Sequence, residues 1–209
     1  MTKVEAIKKL MEDNEGVASW SLIYEDIEKY YPNAKKSKDW KAGIRGVLYR
    51  DIGKNFKKID DGLFAIINFN ENEYIEKNEI LITDTTKEIK IRIGQNLFRK
   101  TLLKELIECP FTQIDKSDLL IASHIKPWAM SNDYERLDKN NGFIFSPTYD
   151  KLFDKGYISF KNDKRLIISN ILDFKTINLL NLKNNEIIER LPVKNRENYL
   201  EYHRDCILK

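Results

Sequence analysis

Apolar residues recur at helical spacing from the start of the chain. Val4, Ile7, Leu10 and Met11 predict a first helix that Gly16 ends. Val17-Ala18 reads as a short extended piece. Ser19 then caps a second helix carrying Trp20, Ile23, Ile27 and Tyr30, which Pro32 stops. Ser37 or Asp39 opens a third, with Trp40, Ile44, Val47 and Leu48 inward and Lys41, Arg45 and Arg50 outward. Gly43 and Gly46 inside it each cost about 1 kcal/mol relative to alanine, for which close approach of another backbone is one reason and poor packing tolerance the other. Phe56 to Ile59 and Leu63 to Ile67 form two strands around Asp60-Asp61-Gly62, a hairpin signal.

The period is lost from Asn68 to Lys90, a polar stretch read as a linker with one short helix. It returns from Ile91, where Leu97, Phe98, Leu102, Leu103 and Leu106 share one helical face. Cys109 to Thr112 is expected to start a strand. Leu119 to Ala122 form another that delivers His124 at its end, and Phe143-Ile144-Phe145 form its partner. Ser146 reads as an N-cap with Pro147 at the first helical position, and Gly156 as the stop of a helix over 148–154. Beyond it, Tyr157 to Phe160 and Leu166 to Ile168 form a hairpin around Asn162-Asp163-Lys164, and two helices follow, the second containing ENYLEYHRDCIL.

Composition narrows this little: 42% of residues are hydrophobic and 33% charged, enough for a core in one domain or two small ones. No apolar run approaches the roughly 20 residues of a bilayer span, and the charged first residues lack a signal-peptide stretch. The two cysteines, Cys109 and Cys206, form neither a CxxC pair nor a disulfide framework, so a soluble, cytoplasmic protein without membrane association is expected. Net charge is only +3 and its distribution says more. Lys35, Lys36, Lys38, Lys41, Arg45, Arg50, Lys54, Lys57 and Lys58 face only Asp39 and Asp51, a local +7 that leaves the rest of the chain at −4. Such a patch can release counterions condensed on a phosphate backbone, so these nine residues are candidate contacts to double-stranded DNA.

Helix, strand, helix, helix, hairpin is the order of a winged helix-turn-helix, and SKDWKAGIRGVLYRDI resembles winged-helix segments ahead of some restriction nuclease domains. In that fold the third helix enters the major groove and the wing meets the backbone. The strongest resemblance lies further on. His124 is followed after sixteen residues by Asn141, and Asn141 after eight by Asp150. That order and spacing resembles the HNH nuclease motif, carried on a ββα finger. RIGQNLFRKTLLKEL resembles the GQxxFRxxLL helix that precedes the finger in many HNH restriction enzymes, and the tail resembles their YLxxHRxxV ending. The resemblance covers about 92–208.

The resemblance implies hydrolysis of a nucleic-acid phosphodiester. His124 would be the general base, since its ordinary pKa of about 6.5 suits proton transfer near neutrality. Asn141 would hold the loop, orient His124, or ligate the metal. Asp150, in place of the motif's last histidine, would bind a hard cation, most simply Mg²⁺ or another divalent ion, with Asp154 one turn on as a further ligand. Lys126 is a candidate phosphate contact, Arg99 is expected to be structural, and His203 is expected to be structural or phosphate-facing rather than a second base. Many HNH proteins carry an aspartate before the histidine, where this chain has Ser123, and paired cysteines for zinc, where it has Cys109 alone. No structural zinc is therefore expected.

The expected architecture is α+β: a winged helix-turn-helix over 1–70, a linker over 71–90 and an HNH ββα-metal nuclease domain over 91–209. The expected activity is that of a type II restriction endonuclease acting as a homodimer on a palindromic site. The alternatives are a nuclease requiring modified bases, a DNA-binding regulator without catalytic activity, and a protein-interaction module.

Overall fold

The structure is a computed structural model that describes residues 1–77 and 84–209. Thr2 caps helix α1 (Lys3–Asp13), its hydroxyl accepting from the Glu5 N–H while the Glu5 carboxylate accepts from the Thr2 N–H. Ala6, Ile7, Leu10 and Met11 face inward from it. Strand β1 (Val17–Ser19) leads into helix α2 (Trp20–Tyr30), capped by Ser19 and ended two residues before Pro32. Helix α3 (Trp40–Arg50) buries Ile44 and Leu48, and Asp39 precedes it without a side-chain cap bond. Strands β2 (Phe56–Asp60) and β3 (Leu63–Ile66) complete an antiparallel three-stranded sheet of order β1-β3-β2. The apolar sides of these elements share one core around Ile7, Ile23, Ile44, Phe56 and Phe64.

Three local expectations are corrected. Helix α4 (Glu71–Lys77) is the short helix expected within the linker stretch, but helix α5 (Asp84–Glu105) begins well before Ile91. The reason is an apolar pair one turn apart, Ile89 and Ile93, both buried. The centre of that stretch, 78–83, lies outside the described residues. Cys109 to Thr112 form a tight turn, with the Gln113 N–H donating to the Cys109 carbonyl and the Cys109 N–H to that of Ile114. Gly43 and Gly46 admit no neighbouring backbone: a Cβ would meet only Lys3 Nζ at 3.6 Å and the Arg50 guanidinium at 3.3 Å.

The chain divides into two compact units, Met1–Asn96 and Leu97–Lys209, a division that falls inside α5. In the second unit strands β4 (Ile121–His124) and β5 (Gly142–Phe145) pair antiparallel, joined by a connection that carries the short helix α6 (Asp133–Leu137). Helix α7 (Pro147–Asp154) follows at once. Gly156 ends it at φ +68°, where an added Cβ would collide with the Ile207 carbonyl, so only glycine fits. Strands β6 (Ile158–Phe160) and β7 (Leu166–Ile168) form a hairpin, and helices α8 (Phe174–Leu179) and α9 (Glu197–Cys206) complete the unit. Phe143, Phe145, Phe153 and Phe160 meet at centroid distances of 5.4–6.2 Å, edge-on or tilted except for the stacked Phe153–Phe160 pair, and form the centre of its core. Among the described residues no helix is long and apolar enough to cross a membrane.

Candidate functional site

The site is built on the β4-β5 hairpin, where His124 stands opposite Gly142 in the antiparallel register. The His124 imidazole stacks on Phe98 of α5 at 3.7 Å between centroids and meets Trp128 edge-on at 5.4 Å. Its Nε2 lies 3.0 Å from the Arg136 carbonyl. A carbonyl only accepts, so Nε2 carries the proton and Nδ1 holds the lone pair. Burial holds this imidazole below its ordinary pKa and the nearby Arg136 charge adds to that, while the bond to the Arg136 carbonyl opposes it. The ring is therefore neutral at physiological pH, with one basic nitrogen.

Two devices hold that ring in place. Gly142 leaves room beneath it: a Cβ there would run into the Phe98 ring and come within 2.8 Å of Leu102. The Arg136 side chain fixes the loop above, its Nε donating to the Trp128 carbonyl at 3.0 Å and its guanidinium lying 5.4 Å from the Trp128 ring centre. The Trp128 indole N–H has no acceptor among the described residues.

Asn141 is fully buried and its amide is spent on the same loop. Its Oδ1 accepts from the Lys126 N–H at 2.8 Å. Its Nδ2 donates to the carbonyls of Lys126 (3.2 Å) and Glu135 (3.0 Å) and to Ser131 Oγ (3.2 Å). Of the roles expected for it, holding the loop is the one this geometry displays, and no exposed oxygen is left for a cation. Arg196, also buried, donates to the carbonyls of Gly142 and Lys139 on either side of it. Lys126 is committed as well, with both Glu135 oxygens at 2.7 Å and the Tyr202 ring 5.2 Å away.

Asp150 sits in the first turn of α7, half-buried, and its carboxylate accepts from the Ser123 hydroxyl. Ser123 directly precedes His124, so this bond ties the helix to the strand that carries the imidazole. Burial pushes the Asp150 carboxyl above its ordinary value; the Ser123 bond opposes this, the Asp154 charge reinforces it and Lys151 weakly offsets it. Asp154 itself is exposed and pairs with Lys155 at 3.2 Å. Among the described residues no group of three or more His, Cys, Asp or Glu could enclose a metal ion. Mg²⁺ needs no such cage, because it keeps several waters and binds through one or two carboxylates plus substrate phosphate. A half-buried carboxylate whose negative charge is poorly compensated suits that kind of ion.

Other expected residues have settled structural roles. Arg99 donates to the carbonyls of Ser117 and Leu120 at 2.6 Å each, just ahead of β4. His203 is enclosed: it stacks on Phe153 at 3.9 Å, Nε2 faces the Phe153 carbonyl at 3.1 Å, and Nδ1 faces Ser159 Oγ at 3.0 Å. Cys109 is buried with Sγ 3.6 Å from Ser146 Oγ, and Ser146 makes no side-chain cap bond to α7. Sequence reasoning missed Phe98, Glu135, Arg136 and Arg196 as supports of the site. Only Glu135 had a local signal, as the fourth residue of the Asn132 capping box.

In the first unit the basic residues divide by how they are held. Lys36, Lys38, Lys41, Arg45, Arg50, Lys54 and Lys58 are exposed, whereas Lys35 and Lys57 are half-buried. Lys57 donates to the Phe69 carbonyl at 2.7 Å and lies 3.7 Å from Glu71; Lys35 lies 3.7 Å from Glu28.

Residues 109–161 match the family model described as HNH endonuclease. The match spans β4, β5, α7 and β6, including His124, Asn141 and Asp150. No curated protein matches the chain. HNH nucleases generally use a divalent metal ion, and the match suggests a metal-dependent nuclease acting on DNA.

Proposed function

We propose that this chain, a member of the HNH nuclease family, is a type II restriction endonuclease: a Mg²⁺-dependent, site-specific enzyme that hydrolyses phosphodiester bonds of double-stranded DNA. The observation that carries the reading is the tether of His124 Nε2 to the Arg136 carbonyl, which leaves Nδ1 as the basic nitrogen of a ring held neutral by burial. His124 takes the proton of the attacking water at Nδ1, a contribution on the order of 10²–10⁴ in rate. Asn141 keeps the loop closed so that the Arg136 carbonyl stays on Nε2. Asp150, with Asp154 one turn away, would hold the cation; when bound, that ion supplies positive charge to the phosphate and the departing oxygen.

Residues 1–70 act in this reading as a winged helix on DNA, 71–90 as a linker and 91–209 as the cutting domain. Support comes from the element order, the β1-β3-β2 sheet, and the exposed cations of α3 and the β2-β3 hairpin. One finger cuts one strand, so two copies of the chain act on a palindromic site.

Incubation with mixed plasmid and phage DNA in Mg²⁺, beside His124→Ala and an EDTA control, tests this. Discrete fragments are expected from the native protein alone, with His124→Ala still folded by thermal melting. Cutting that survives His124→Ala removes the base assignment, and a continuous smear removes site specificity. Cutting confined to methylated DNA would select the modification-dependent enzyme, and salt-sensitive binding without cutting the inactive regulator.

A further inference from the structure

Building on the reading of residues 1–70 as a DNA-binding unit, we propose that Arg45 is its base-reading residue, a bidentate donor to the guanine edge in the major groove. Lys36, Lys38 and Lys54 hold phosphates. What separates them is how each cation is held before DNA arrives. The side chains of Lys36, Lys38 and Lys54 are exposed and make no hydrogen bond or ion pair among the described residues. They are free point charges, which suits a phosphate and carries no sequence information.

Arg45 is different. It stands on the exposed face of α3, and its Nη1 donates to the Tyr24 hydroxyl at 3.1 Å. Tyr24 is itself fixed, stacked on Trp20 (5.4 Å, 12°) and edge-on to Trp40 (5.4 Å, 83°). Trp20 in turn packs on Phe64 of β3 at 4.7 Å. One of the five guanidinium N–H groups is thus anchored to the aromatic core, and the planar fork keeps the others for a ligand. A fork oriented in advance loses less freedom on binding, and the O6 and N7 acceptors of guanine match it. Lys41 lies over the same rings, 5.2 Å from Tyr24 and 5.6 Å from Trp40, but an ammonium has no fork. Arg50 is exposed without such an anchor. One turn before Arg45 on the same helix face, the exposed Ala42 puts little side chain beside it.

The test is selection from a randomised duplex pool with the full chain in EDTA, so that no strand is cut. The native protein is expected to enrich a motif. Arg45→Lys, which keeps the charge, should erase the preference at one G·C position of each half-site and weaken binding to the selected site about 5- to 140-fold. Tyr24→Phe should blur that same position and leave the salt dependence unchanged. Lys38→Ala should weaken binding to all duplexes alike and reduce the salt slope by about one. An unchanged motif in Arg45→Lys, or its loss in Arg50→Ala instead, overturns the assignment. If Lys36→Ala with Lys38→Ala leaves duplex affinity and salt slope untouched, the DNA-binding reading of this unit falls first and Arg45 with it.

Discussion

Replacing Asn141 by aspartate separates two roles that asparagine can play in this site. The side chain keeps its shape, but the nitrogen that donates to the Lys126 carbonyl, the Glu135 carbonyl and Ser131 Oγ becomes an oxygen. Three bonds worth roughly 0.5–1.5 kcal/mol each are then lost or reversed, inside a site from which water is excluded. A protonated aspartic acid restores at most one of them. The expected destabilisation is about 3–5 kcal/mol near neutral pH, a large part of the 5–15 kcal/mol that typically holds a domain together. Burial raises the carboxyl pKa in the folded state, so the deficit is largest above that raised value and shrinks as pH falls from it toward the unfolded value near 4. Urea unfolding at pH 8 and pH 5, with cleavage across a Mg²⁺ titration, reads both consequences. A loop-holding residue predicts reduced stability, a deficit smaller at pH 5, and cleavage that added Mg²⁺ does not restore. A metal ligand predicts stability within about 0.5 kcal/mol of native and a lower Mg²⁺ requirement, since carboxylate binds a hard cation better than an amide does. That second outcome would refute the role assigned to Asn141.

Two further predictions follow from the same unit. Gly142→Ala forces the Phe98 ring out from under His124; overpacking of this kind costs about 1–3 kcal/mol, and cleavage should fall further than the lowered melting temperature alone explains, whereas a variant that melts and cuts like the native protein would exclude the stacking role. His203 is held down to about 4 by burial, so it is neutral in both folded and unfolded chains above about pH 6.5. As pH falls from about 6.5 to 4 only the unfolded chain takes the proton, and stability drops by on the order of 3 kcal/mol across that window. His203→Gln should flatten this slope in urea unfolding, and an unchanged slope would place the titration elsewhere.

The elements were legible in the sequence wherever their cause is local. The periodic stripes of α1 to α3, the Asp61-Gly62 turn and the Ser146-Pro147 and Gly156 limits of α7 each depend on residues within a few positions of one another. The order His124, Asn141, Asp150 was legible as well, by its spacing alone. The early start of α5 was missed because its signal is only the pair Ile89 and Ile93. The tight turn at Cys109 was missed because a short apolar run is ambiguous without its hydrogen-bond partners.

Tertiary structure alone decided how each motif residue is held. The proton position on His124 is set by a carbonyl twelve residues away, and its lowered pKa by burial. Lys126 passed from a candidate phosphate contact to a partner of Glu135, and Asn141 from three open roles to a displayed one, through loop bonds that follow no period. Sequence spacing names which groups are available. Direction, burial and the partner of each polar atom depend on where the backbone turns, and only the folded chain specifies that.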